Sequence, residues 1–86
     1  MKKSLNSPAH LKLLQWLKAK REERGLTMRE MAEILGIPHS FIGKTEQGER
    51  RLDVVEYLQY CKALGADPVE GLAAISERWP LQKPDN

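Results

Sequence analysis

Residues 27–44 read TMREMAEILGIPHSFIGK, and the fold follows from what these residues do locally. Thr27 followed three residues later by Glu30 is a capping box, in which each side chain accepts from the other residue's backbone N–H. The helix opened there carries Met31 and Leu35 and runs to about Leu35, where Gly36 supplies the positive φ of a sharp turn. A further helix begins near Pro38 and ends before Gly48. Two helices joined by a turn of three or four residues containing a glycine have the spacing of a helix-turn-helix. Ala32 sits where the two must approach closely, and Met31, Leu35, Ile37 and Ile42 supply the apolar contacts that fix their crossing.

The second helix of the pair is unusual in composition. Its stretch holds only three sizeable apolar side chains, Ile37, Phe41 and Ile42, interleaved with His39, Ser40 and Lys44. A piece of about nine residues is marginal as an isolated helix, so its neighbours must hold it. With Ile42 turned inward, His39, Ser40, Gly43 and Lys44 form its outward surface.

Three more helices are legible from their ends. Ser7-Pro8 is a start signal, with serine as N-cap and proline at the first helical position, followed by Leu13, Leu14, Leu17 and Arg21 at helical spacing up to Gly25. Asp53 and Glu56 repeat the capping box, opening a helix whose Val54, Tyr57, Cys61 and Leu64 line one face as far as Gly65. Asp67-Pro68-Val69-Glu70 repeats it again and opens a fifth helix presenting Leu72, Ile75 and Trp79 until Pro80. Nothing alternates with period two beyond a few residues, and no internal repeat is visible. The expectation is an all-α, five-helix single domain over residues 7–79, with flexible ends at 1–6 and 80–86.

Composition narrows the classes of function. With 86 residues, 41% hydrophobic and 30% charged, the chain has the makeup of a soluble globular protein. No stretch approaches the roughly 20 apolar residues of a membrane span, and Lys12 and Lys18 interrupt the apolar run a signal peptide would need, so the expected address is cytoplasmic. One cysteine, Cys61, with His10 and His39 as the only histidines, gives neither a disulfide framework nor a metal-ligand spacing. The same shortage leaves no plausible catalytic set, and no glycine-rich phosphate loop follows a strand, so an enzyme is not expected. Cys61 reads as a small core residue. Charge is unevenly spread: residues 1–51 hold eleven lysines and arginines against six glutamates, a net +5, whereas residues 52–86 hold three against six acids, a net −3. One end is suited to meet an anion.

At this point the sequence resembles the Cro/phage-repressor type of helix-turn-helix regulator, the XRE family. The resemblance rests on RxxRGLTMREMAEILGI from Arg21, on SFIGKTEQGER with Glu46 and then Gly48, and on LQYCKALGADP closing the fourth helix, and it covers residues 13–79. It implies that double-stranded DNA is the partner and that the third helix enters the major groove, with His39, Ser40, Gly43 and Lys44 at base edges. Lysine can donate to guanine O6 and N7, serine can donate or accept, histidine can do either depending on tautomer, and glycine allows close approach. Phosphate contacts are expected from Lys20, Arg21, Met28, Arg29, Gln47, Arg50 and Arg51. At Met28 the family often has glutamine, so here only the backbone N–H groups of the helix start serve the phosphate. The resemblance also implies an ion pair between Arg21 and Glu46 that ties the first helix to the end of the third.

Because one short helix reads only a few base pairs, such domains bind as two-fold dimers on inverted repeats about one DNA turn, roughly 34 Å, apart. The homodimer surface expected here is the apolar side of the fifth helix, Leu72, Ile75 and Trp79, with Trp16 of the first helix as an alternative partner inside the chain. The expected activity is therefore that of a transcriptional regulator acting as a repressor, needing no cofactor, metal or small-molecule ligand. A second reading is an antitoxin or interaction module that masks a partner protein and uses DNA only to regulate its own operon.

Overall fold

The structure, a computed structural model, describes residues 7–78, with side chains through Ser76. Five helices follow in order: α1 (Pro8–Glu23), α2 (Met28–Leu35), α3 (His39–Glu46), α4 (Val54–Leu64) and α5 (Pro68–Arg78), and no strand occurs among the described residues. The expectations for residues 1–6, Trp79 and residues 80–86 lie outside that range.

The ends of the helices form as the sequence implies. Ser7 accepts from the His10 backbone N–H at 3.2 Å, with Pro8 in the first turn of α1. Thr27 Oγ1 accepts from the Glu30 N–H at 3.0 Å while Glu30 Oε1 accepts from the Thr27 N–H at 2.9 Å. The Asp53–Glu56 box has the same two bonds, at 2.8 and 3.2 Å. Gly36, at φ 70°, closes α2 in the left-handed conformation that a side chain disfavours.

The third box differs from its expectation. Asp67 Oδ1 accepts from the Val69 N–H at 2.9 Å, but the Glu70 carboxylate faces Lys20 of α1 at 3.4 Å instead of returning to the Asp67 backbone. Once α5 lies along α1, an opposite charge on the neighbouring helix is available to it.

One core unites the bundle. α5 packs along α1, α2 packs on α3 and α4, and α1 crosses α3 and α4. Leu14, Met31, Ile42, Thr45 and Cys61 are essentially sealed from solvent, with Leu17, Ala32, Tyr57, Tyr60 and Leu64 around them. Burial pushes the Cys61 thiol above its ordinary pKa, as suits a small packing residue in the core. α4 corrects one sequence expectation: Val54 is 73% exposed, and Tyr60 takes its place on the packed face beside Tyr57, Cys61 and Leu64. The first turn of α4 emerges from the loop beyond the edge of the core, so its valine has nothing to pack against.

Helix α5 is seated through a close approach. A Cβ at Gly71 would stand 2.7 Å from the Trp16 ring and would collide with the Tyr57 hydroxyl, so only glycine lets the helices meet here. The Tyr57 hydroxyl donates to the Pro68 carbonyl at 2.6 Å, joining α4 to the start of α5. Trp16 thus becomes the intramolecular partner of α5, and Ile75 is half-buried against the same core.

Candidate nucleic-acid interface

Helix α3 is short, and no side-chain hydrogen bond caps it. What holds it is lateral. Ile42 and Thr45 are fully buried, and Glu46 is gripped by α1: Arg21 Nε donates to Glu46 Oε2 at 2.7 Å and Nη2 to Oε1 at 3.1 Å, while Nη1 donates to the Leu26 carbonyl at 2.7 Å. Both side chains are under a tenth exposed, at 9% and 8%. The hydrogen bond to Glu46 raises the guanidinium pKa above its ordinary value against the opposing effect of burial. A two-pronged charged pair of this kind fixes direction as well as distance.

Held this way, α3 turns the opposite side outward. Ser40, Lys44 and Gln47 fall four and three residues apart, on one face of the helix, and all are exposed. His39 is exposed in the first turn, where base edges are reached in a helix-turn-helix. Among the described residues no hydrogen bond or ion pair engages the side chains of His39, Ser40, Lys44 or Gln47. Arg29 and Arg51 are also exposed, with their guanidinium groups unpaired among the described residues.

Gly43 has a structural use that the sequence did not reveal. It is half-buried on the flank toward α2, and the Met28 Sδ lies 3.7 Å from where its Cβ would stand. Met28 therefore packs its side chain on α3, leaving its backbone N–H, with that of Arg29, at the exposed start of α2.

The remaining expected phosphate contacts are spent elsewhere in the fold. All three nitrogens of the Arg21 guanidinium are engaged inside the protein. Lys20 lies on the α1–α5 side, between Glu23 at 3.7 Å and Glu70 at 3.4 Å and with its ammonium 5.7 Å from the centre of the Trp16 ring. Arg50 reaches back into the domain, donating to Glu56 Oε2 at 2.7 Å and to Thr45 Oγ1 at 3.3 Å. The Arg21 pair with Glu46 is the one the resemblance implied, whereas Lys20 and Arg50 were assigned to phosphate from charge and position. The signal that could have placed Lys20 is its spacing of four residues from Trp16, which puts both on the face that α5 covers.

Exposed apolar side chains gather away from α3. On α5 Leu72 is 47% and Val69 67% exposed, and on α4 Leu58 is 48% exposed. Val69 and Leu72 are three residues apart, so they share one side of α5.

Comparison with known proteins agrees with this arrangement. A family model described as a helix-turn-helix domain matches residues 13–73. Among solved structures, an XRE-family like protein from Pseudomonas syringae pv. tomato str. DC3000 is 40% identical, covering 84% of this chain and 88% of its own, with a TM-score of 0.77. The restriction-modification controller protein C.AhdI from Aeromonas hydrophila is 31% identical over 71% of this chain and 92% of its own, with a TM-score of 0.65. The clp gene regulator ClgR from C. glutamicum is 25% identical over 90% of this chain and 100% of its own, with a TM-score of 0.74. No curated protein matches the chain. The capped helix pair, the Arg21–Glu46 tie and these matches together place the chain in the XRE-type helix-turn-helix family of DNA-binding transcription regulators.

Proposed function

We propose that the protein is a sequence-specific regulator, acting as a repressor, that reads the major groove of an inverted-repeat operator with α3. The observation that carries this reading is the outward face of α3: Ser40, Lys44 and Gln47 are exposed and unengaged on a helix whose other sides are fastened by Ile42, Thr45 and the Arg21–Glu46 pair. Hydrogen-bonding groups presented on a rigid support suit the donor and acceptor pattern of base edges. Ser40 and Lys44, with His39 in the first turn, are the base readers, whereas Gly43, expected among them, is half-buried on the flank toward α2 and packs against Met28 instead. Arg51, Arg29, Gln47 and the free N–H groups at the start of α2 meet phosphates, which supply affinity without sequence information.

Two copies read two half-sites about one turn, roughly 34 Å, apart. The homodimer uses the outer side of α5, Leu72 with Val69 beside it. The names of two related structures, a restriction-modification controller and a gene regulator, favour control of transcription as the role. Selection of bound sites from a random double-stranded DNA pool tests the reading. It should return an inverted repeat with half-sites one turn apart; a pool that stays random after selection would refute sequence-specific reading.

A second reading, in which the chain masks a partner protein and binds DNA only to regulate its own operon, draws on Val54 and Val55, which are 73% and 62% exposed on α4. Co-purification from the native host separates the two: a stoichiometric partner protein supports masking, and a chain recovered as its own dimer supports the operator-reading role.

A further inference from the structure

We infer that Arg50 is a positioning residue for the reading helix: anchored by Glu56, it fixes the rotation of α3 through Phe41 and Thr45, and so sets base selectivity without touching DNA. The inference rests on the reading of α3 as the element that enters the major groove.

The geometry is a chain of contacts from α4 to α3. Glu56 stands in the first turn of α4, where its Oε1 accepts from the Asp53 N–H at 3.2 Å and its Oε2 accepts from Arg50 Nη2 at 2.7 Å. Arg50 Nη1 then donates to Thr45 Oγ1 at 3.3 Å and to the Arg51 carbonyl at 3.4 Å, and the guanidinium carbon lies 4.7 Å from the centre of the Phe41 ring. Those distances are within hydrogen-bond and cation–π reach. Phe41 and Glu46 lie on opposite flanks of α3, five residues apart. One flank is therefore held by Arg21 from α1 and the other by Arg50 from the loop before α4. Since α3 has no side-chain cap of its own, these two arginines, one on each flank of the buried Ile42 and Thr45, resist rotation about its axis. A small rotation would carry His39, Ser40 and Lys44 off the base edges while leaving phosphate contacts nearly unchanged, because base contacts demand the tighter geometry.

The test measures, for the wild-type chain and for Arg50→Lys, Arg50→Gln, Glu56→Gln and Phe41→Leu, the affinity for the selected operator and for a random duplex over a range of salt. Thermal unfolding of each variant sets the folded fraction, and unfolding alone lowers both affinities together without moving their ratio. Positioning predicts that Arg50→Lys and Glu56→Gln each lower the specific-to-random ratio by about tenfold, the scale of one base contact, with the salt slope unchanged. Glu56→Gln is the sharper arm, because removing a negative charge near DNA would otherwise strengthen binding to every sequence. If Arg50→Lys keeps the wild-type ratio and Arg50→Gln flattens the salt slope by about one unit, Arg50 is a phosphate contact and the inference is overturned. An unchanged ratio in both Glu56→Gln and Phe41→Leu would overturn it equally. Failure of the wild-type chain to prefer any sequence would instead remove the reading of α3 on which the inference rests.

Discussion

Arg21 and Glu46 are separated by 25 residues, yet their side chains meet through two hydrogen bonds of 2.7 and 3.1 Å in a nearly sealed site. The pair converts a weak local helix into a fixed one, because α3 inherits the orientation of α1. Breaking it from one side leaves an uncompensated buried charge. Arg21→Met or Glu46→Leu alone should cost about 3–5 kcal/mol, whereas the double variant Arg21→Met/Glu46→Leu should cost markedly less. Urea unfolding of all four proteins gives the comparison, and additive single and double costs would contradict a buried, coupled pair.

Lys44 and Arg51 divide selectivity from affinity. Lys44→Ala should relax base preference at one position in each half-site, a loss of about 1–3 kcal/mol of discrimination. Arg51→Ala should weaken binding to all sequences alike and lower the salt slope by about one unit. Site selection repeated with each variant checks both, and an unaltered preference with Lys44→Ala would remove that lysine from the readers.

The acid side of neutrality should destabilise the fold through His10. Its imidazole is half-buried at the start of α1, with Nε2 sealed and without a partner among the described residues. Burial first, and the charge of Arg51 second, hold its pKa below the ordinary 6.5. The folded chain therefore keeps His10 neutral while the unfolded chain takes up a proton. Stability is complete above about pH 6.5 and is lost as the pH falls from there through the folded pKa. Unfolding midpoints should drop between pH 7.5 and 5.5, and His10→Gln should reduce the drop; an identical slope in the variant would exclude His10 as the source.

Assembly should depend on the outer side of α5. Leu72→Glu places a charge where the proposed dimer is apolar, yet Leu72 is already 47% exposed in the monomer, so folding should be spared. Sedimentation at micromolar concentration should show the wild-type chain as a dimer and the variant as a monomer with unchanged thermal stability. A monomeric wild type would place dimerisation on DNA, and a dimeric variant would move the interface elsewhere.

The parts of this fold that were legible in the sequence are those written in local chemistry. Thr27 with Glu30, Asp53 with Glu56 and Gly36 each act on residues within one turn of themselves, and all three appear as expected. The spacing of Ile42 against Ser40 and Lys44 likewise identified which side of α3 faces outward. What sequence could not supply was the destination of long charged side chains. Lys20, Arg50 and Glu70 each find partners on a different helix or loop, set by packing that no local pattern encodes. The same holds for Met28, whose contact with Gly43 exists only because α2 and α3 cross there, and for Val54, which keeps helical spacing with Tyr57 but lies beyond the end of the core.

The central claim is that the outward side of α3 enters the major groove, and amide chemical-shift mapping on titration with the selected operator addresses it residue by residue. The account predicts the largest shifts at residues 38–47, with a second group at residues 27–29 where the start of α2 meets phosphate. Shifts concentrated on α4 and α5, with residues 38–47 unmoved, would contradict it.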